Sequence, residues 1–244
     1  MIRVPPLVLV LVLAVLLAAC GNQPRQPDWL VNADGAQDRY ARAYLSGRDR
    51  DAAAEFTRLR SEVASTAQPG LVARAELTRC AMQVATLDFA PCVAFEALRA
   101  DAPEAERAYA DFLEGRLDPS RAKLLPEEYR GIGGGQGGAA ALEGIQSPLS
   151  RLIAAGVLMR SGKADPGVLQ AAADTASGQG WRRAVMAWLG AQAMRAEQAG
   201  AVEEAARLRR RMQLAEDAAG VAAPTRPTGS VPATVPTATV PSAR

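Results

Sequence analysis

Apolar residues recur at helical spacing through most of the chain. Tyr40, Ala43 and Tyr44 share a face in a segment that Gly47 ends, and Ala52, Phe56, Leu59 and Val63 share another that Pro69-Gly70 ends. Leu71 to Leu87 and Pro91 to Ala100 predict a second pair of helices, and Pro103 to Leu117 a further one with Pro103 in its first turn. Later in the chain, Ser147-Pro148 reads as an N-cap and first helical residue. It opens a helix through about Arg160 whose Leu149, Leu152, Ile153 and Val157 form a stripe. Asp165-Pro166 opens the next helix in the same way. Trp181 to Gln198 and Ala201 to Asp217, broken at Gly200, complete the set, and Trp181, Val185, Trp188 and Leu189 face one side as core residues. Short Gly or Pro breaks between such segments make neighbours antiparallel. The expected fold class is therefore all-α, built from antiparallel helical hairpins.

Two stretches depart from this pattern. Gly131-Ile132-Gly133-Gly134-Gly135-Gln136-Gly137-Gly138 contains Gly133-x-Gly135-x-x-Gly138, the spacing of a dinucleotide fingerprint, but no strand precedes it and no Lys-Ser/Thr follows. It reads as a flexible linker over 131–146 that separates an N-terminal helical region, 28–130, from a C-terminal one, 147–218. From 219 to 244 the chain turns to Val-Pro repeats with Thr and Ala, which cannot build a core and are expected to be extended, with polyproline-II character.

Composition sharpens what such a body can do. The chain has 244 residues, 49% apolar but only 5% aromatic, with alanine carrying much of the apolar count. Packing must then rely on close helix approach rather than on large side chains. There is no histidine, which removes Ser-His-Asp triads, Cys-His pairs, zinc sites built on H-E-x-x-H and proton shuttling by imidazole. The 28 basic and 26 acidic residues are interspersed, net +2, without a basic stripe or an aromatic platform for nucleic acid. Lys123 and Lys163 are the only lysines. Adjacent acids such as Glu127-Glu128 and Glu203-Glu204 point about 100 degrees apart on a helix and do not converge as a catalytic pair. No metal ligand set and no cofactor site is expected, and the chain reads as non-catalytic.

The N-terminus supplies an address. Met1-Ile2-Arg3 precedes an apolar run from Val4 to Ala19, and Leu17-Ala18-Ala19-Cys20 closes it. This order of charge, apolar run, small residues and cysteine resembles the lipobox of bacterial lipoprotein precursors. The resemblance implies that 1–19 is a signal peptide and that Cys20 carries lipid as the first mature residue. Residues 20–27 would then be a tether holding the body within roughly 25 Å of the membrane. At about 0.8 kcal/mol per buried methylene, the three acyl chains it implies anchor the protein stably. Gly21-Asn22, without an aspartate after the cysteine, favours the outer membrane over the inner.

A second, narrower resemblance lies in the body. Tyr44-Leu45-x-Gly47 followed by Ala52 and Phe56, Leu158 to Gly162 followed by Ala164, and Gly200 followed by Glu204-Ala205 are similar to part of the tetratricopeptide pattern, in which small residues let paired helices cross closely. Arg209 stands where an aromatic is usual, and the terminal proline of each unit is missing.

These features together suggest a lipid-anchored protein that binds or scaffolds a protein partner in the cell envelope. Alternatives are a cell-wall hydrolase or transglycosylase using a helix-borne Glu, recognisable by a deep cleft with one buried carboxylate, and an accessory lipoprotein of a secretion or conjugation system. With Cys20 committed to lipid, Cys80 and Cys92 remain as an even pair that an oxidising compartment would bridge, at similar distances from a reversal near Thr86 to Asp88. Such a loop closure stabilises by about 3 kcal/mol. Alkylation of the unfolded, non-reduced protein is expected to leave Cys80 and Cys92 unlabelled, and labelling of both would contradict the bridge.

Overall fold

Prolines and short polar side chains set the helix starts. Pro69, Pro148 and Pro166 occupy first helical positions, where the missing N–H costs nothing. The Ser147 hydroxyl accepts from the Ser150 N–H at 3.2 Å, and the Asp165 carboxylate accepts from the Val168 N–H at 2.9 Å. Stops are set by left-handed residues. At Gly47, φ is +76°, so the Arg48 N–H can turn back to the Ala43 carbonyl at 2.9 Å and close the helix end.

The computed structural model describes residues 26–222, and among these every regular element is helical. The helices are α1 (Asp28–Leu45), α2 (Asp49–Ala64), α3 (Pro69–Ala85), α4 (Val93–Glu96), α5 (Glu104–Leu113), α6 (Arg130–Gly133), α7 (Pro148–Arg160), α8 (Pro166–Gly178), α9 (Arg182–Gln198) and α10 (Val202–Ala222). Shorter 3-10 turns cover Pro119–Leu124, Glu127–Tyr129 and Ala139–Leu142. Each long helix packs on its neighbour in sequence, α1 on α2, α2 on α3, α7 on α8, α8 on α9 and α9 on α10. In addition α3 packs on α5 and α7, and α9 reaches back to α1. None of the described helices is long and apolar enough to cross a membrane. The lipobox, Cys20 and residues 223–244 lie outside the described residues.

The centre of the fold is α7. Seven consecutive residues, Leu152 to Leu158, are buried, while Leu149 is only half-buried. The expected one-sided stripe is therefore incomplete: α3, α5 and α8 all contact this helix, so almost its whole circumference is apolar. Its closest approach is at Gly156, where an added Cβ would sit 2.8 Å from the Val84 carbonyl carbon on α3. One residue further along α3, the Ala85 carbonyl accepts a 3.0 Å hydrogen bond from the indole N–H of the fully buried Trp188 on α9.

Four sequence expectations are corrected. The Pro91 to Ala100 segment is helical only over Val93–Glu96 and then continues in tight turns. The Leu98 N–H bonds to Phe95, the Arg99 N–H to Glu96 and the Asp101 N–H to Leu98, a spacing of three rather than four. The helix from Pro103 stops at Leu113, because Gly115 takes φ +69° and the Arg116 N–H folds back to the Asp111 carbonyl. The glycine-rich stretch is folded into the body rather than acting as a flexible linker. Ile132, Leu142 and Ile145 are buried in a core that runs continuously from Tyr40 to Leu208. An added Cβ at Gly133 would lie 2.6 Å from the Leu125 side chain. The Gly138 N–H donates to the Lys163 carbonyl at 3.1 Å, and Arg151 Nε donates to the Ile145 carbonyl at 3.1 Å. In addition, α10 runs to Ala222, past the expected end at Asp217.

Cys80 and Cys92 form a disulfide, with Cα atoms 5.9 Å apart. It ties the end of α3 to the start of α4 and sets the buried Phe95 against α3. The chain reverses between the two cysteines at Leu87, whose φ of +60° lets the Asp88 N–H close on the Gln83 carbonyl at 2.9 Å.

Replacing Gly156 by alanine sets two effects against each other. Helix propensity favours alanine by about 1 kcal/mol, whereas overpacking costs about 1–3 kcal/mol or more. The obstructing atoms are the Val84 carbonyl group of α3, which cannot rotate away, and its Cγ1, so overpacking falls at the upper end of that range and Gly156→Ala should lower stability by about 2 kcal/mol or more in a denaturant titration. Gly144→Ala, where an added Cβ meets nothing within 4 Å, should stay within about 0.5 kcal/mol of the wild type.

Candidate binding groove

Five separate stretches of chain converge on one concavity of about 430 Å³, open to solvent. Arg74, Leu77, Thr78 and Ala81 follow helical spacing on one face of α3, with Met82 beside them. From α5 come Ala105, Glu106 and Tyr109, and from α7 Leu149 and Ile153, again one helical turn apart. The irregular segment between α5 and α6 contributes Lys123 to Pro126 and Tyr129, Arg130 follows at the start of α6, and Gln37 of α1 stands at the edge. Leu77, Ala81, Met82, Leu125 and Ile153 are buried and form an apolar floor.

One wall is aromatic. Tyr109 and Tyr129 stack with centroids 5.9 Å apart, and Phe112 backs Tyr129 at 5.1 Å. Burial pushes the Tyr129 phenol up to about 12, reinforced by the nearby Glu128 carboxylate and opposed by a hydrogen bond with Ser150. Burial also holds Tyr109 well above the usual phenol value, with Tyr129 as the next contributor. Both rings therefore present neutral hydroxyls across the physiological range.

The charges divide between satisfied and free. Glu106 is buried and takes the Arg74 Nε at 3.0 Å together with its Nη2, so this acid and base neutralise each other. Lys123 and Arg130 are exposed at the lip, and among the described residues neither forms an ion pair; Arg130 Nε donates to the Leu125 carbonyl at 3.0 Å. The lip is held from behind by buried Asp111, which receives Arg99 at 3.2 Å, Arg116 at 3.0 Å and Arg121 at 2.7 Å. Because Arg121 belongs to the same turn as Lys123, this ion cluster places the lysine. Buried Glu76, bridged by Arg60 at 3.0 Å and Arg79 at 2.9 Å, joins α2 to α3 in the same manner away from the groove.

Of the residues singled out from sequence, Cys80 on α3 and Cys92 at the start of α4 are bonded together but do not line the groove, Trp188 is core, and Cys20 lies outside the described residues. Glu127 and Glu128 are exposed, and Glu128 accepts from the Ser150 hydroxyl at 3.4 Å. The groove residues themselves were not anticipated. The nearest signal was Lys123-Leu124-Leu125-Pro126, one of two lysines set beside an apolar, helix-breaking run. Among the described residues no group of His, Cys, Asp and Glu is arranged to hold a metal ion. No protein-family model, characterised protein or solved structure matches the chain.

The raised Tyr129 value has a measurable consequence. In the unfolded chain the phenol ionises near pH 10, and in the native state only near 12. Between these values the unfolded state releases a proton that the native state keeps, so this contribution to stability is complete below pH 10 and is lost as pH rises toward 12. The wild-type minus Tyr129→Phe absorbance difference at 295 nm should show no step near pH 10 in the native protein. A step there would contradict a buried phenol.

Proposed function

We propose that this chain is a lipid-anchored protein of the cell envelope that acts by binding rather than by catalysis. The supporting observation is the groove: an apolar floor, an aromatic wall and a lip bearing two unpaired cations, held by helices that pack against the centre of the fold. Binding sites characteristically combine such an apolar concavity with a few placed polar groups. The anchoring half of the reading rests on Leu17-Ala18-Ala19-Cys20.

A hydrolase using a helix-borne Glu receives less support. A general acid must be free to hold and release a proton near its substrate. Glu106 is the carboxylate among the groove's lining residues, and it is engaged by two nitrogens of Arg74. Asp111 and Glu76 are likewise held by arginines, outside the groove.

Metabolic labelling with palmitate tests the anchoring directly. The wild-type chain should incorporate label and sediment with membranes, and Cys20→Ser should lose the label and remain as uncleaved precursor. Labelling that persists in Cys20→Ser would contradict the assignment of Cys20.

A further inference from the structure

We propose that the groove between α3, α5 and α7 takes a single-chain anionic amphiphile, its apolar body on the floor and its charged head at Lys123 and Arg130; this deepens the binding reading and rests on it. The volume, about 430 Å³, lies within the range of sites for small ligands, roughly 300–1,000 Å³. Leu77, Met82 and Ile153 supply a floor without a carboxylate, so an alkyl chain meets no unsatisfied charge there.

Head-group polarity follows from the charge balance. Arg74 and Glu106 cancel each other, which leaves Lys123 and Arg130 as the lining cations without an ion pair among the described residues, while the neighbouring Glu127 and Glu128 carboxylates do not line the groove. A carboxylate or a phosphate monoester complements that pair, whereas a quaternary ammonium would be repelled. The neutral Tyr109 and Tyr129 hydroxyls add no opposing charge. The same argument disfavours the chain's own C-terminal segment as occupant. Residues 223–244 carry Arg226 and Arg244 and no acidic residue, and would bring positive charge to a positive lip.

The test uses the full-length protein in isolated envelope membranes and a dodecanoate bearing a diazirine near its methyl end, with adducts mapped by mass spectrometry. Adducts are expected on the stretches containing Leu77 to Met82 and Leu149 to Ile153. Dodecanoate or dodecyl phosphate should compete roughly tenfold better than dodecyltrimethylammonium, an order of magnitude corresponding to about 1.4 kcal/mol. Comparison of the two anions shows whether carboxylate or phosphate is the preferred head. Shortening the competitor by one methylene should weaken it by roughly fourfold at most.

Lys123→Glu/Arg130→Glu removes the two cations proposed to hold the carboxylate, and should weaken dodecanoate labelling and abolish the advantage of anionic over cationic competitors. Ala81→Trp, which fills the floor, should lose the label; thermal unfolding of both variants separates these effects from misfolding. Equal competition by both head charges, or adducts scattered over exposed helices and insensitive to Ala81→Trp, would overturn the proposal. Palmitate incorporation at Cys20 is read independently, so anchoring and amphiphile binding can fail separately.

Discussion

The crossing of α3 and α7 at Gly156 is the contact on which the rest of the structure depends. Two helix backbones approach closely there, because α7 offers a glycine where the Val84 carbonyl and Cγ1 of α3 lie. Trp188 donates to the next carbonyl, Ala85, and so adds α9 to the same junction. An alanine-rich chain has few large side chains with which to fill space. It achieves dense packing by bringing backbones together, gaining many dispersion contacts at short range. A helix buried on nearly every side, as α7 is, must be met closely by its neighbours or leave voids.

This crossing also positions the groove. Leu77, Ala81 and Met82 lie on α3 and Ile153 on α7, so all of the floor except Leu125 comes from the same two helices near where they meet. The lip is placed differently, through charge. Asp111 gathers Arg99, Arg116 and Arg121, which draw the turns after α4 and α5 together and present Lys123. Buried carboxylates with this many donors are costly to separate from their partners, since removing one partner leaves a charge stranded in low dielectric. Apolar packing thus determines the shape of the site, and a shielded ion cluster determines its electrical character.

Helix starts were legible in the sequence because their causes are local. Ser147 and Asp165 bond to N–H groups three residues away and need no tertiary partner. The all-α class and the Cys80–Cys92 bridge could be anticipated for similar reasons of periodicity and parity. The glycine-rich stretch reads as a linker in sequence because a glycine that permits close packing is compositionally identical to one that permits flexibility. Gly133 against Leu125, and Ile132, Leu142 and Ile145 in the core, decide between the two only in three dimensions. The burial of Leu152 to Leu158 on every side of α7 is hidden in the sequence because the stripe accounts for one face, and the alanines and glycine on the others carry no periodic signal. The groove was least legible, since it joins positions from Gln37 to Ile153 that are adjacent only once α3, α5 and α7 are packed.

If the crossing at Gly156 unites the body, residues 28–130 and 147–217 should open together. Native-state hydrogen exchange at increasing denaturant measures this most directly, by following amides in α3, α7 and α9. The account predicts that these amides converge on one opening free energy and one denaturant dependence, and that Gly156→Ala lowers all three equally. Two separate exchange isotherms, one for α3 and another for α7 and α9, would contradict it.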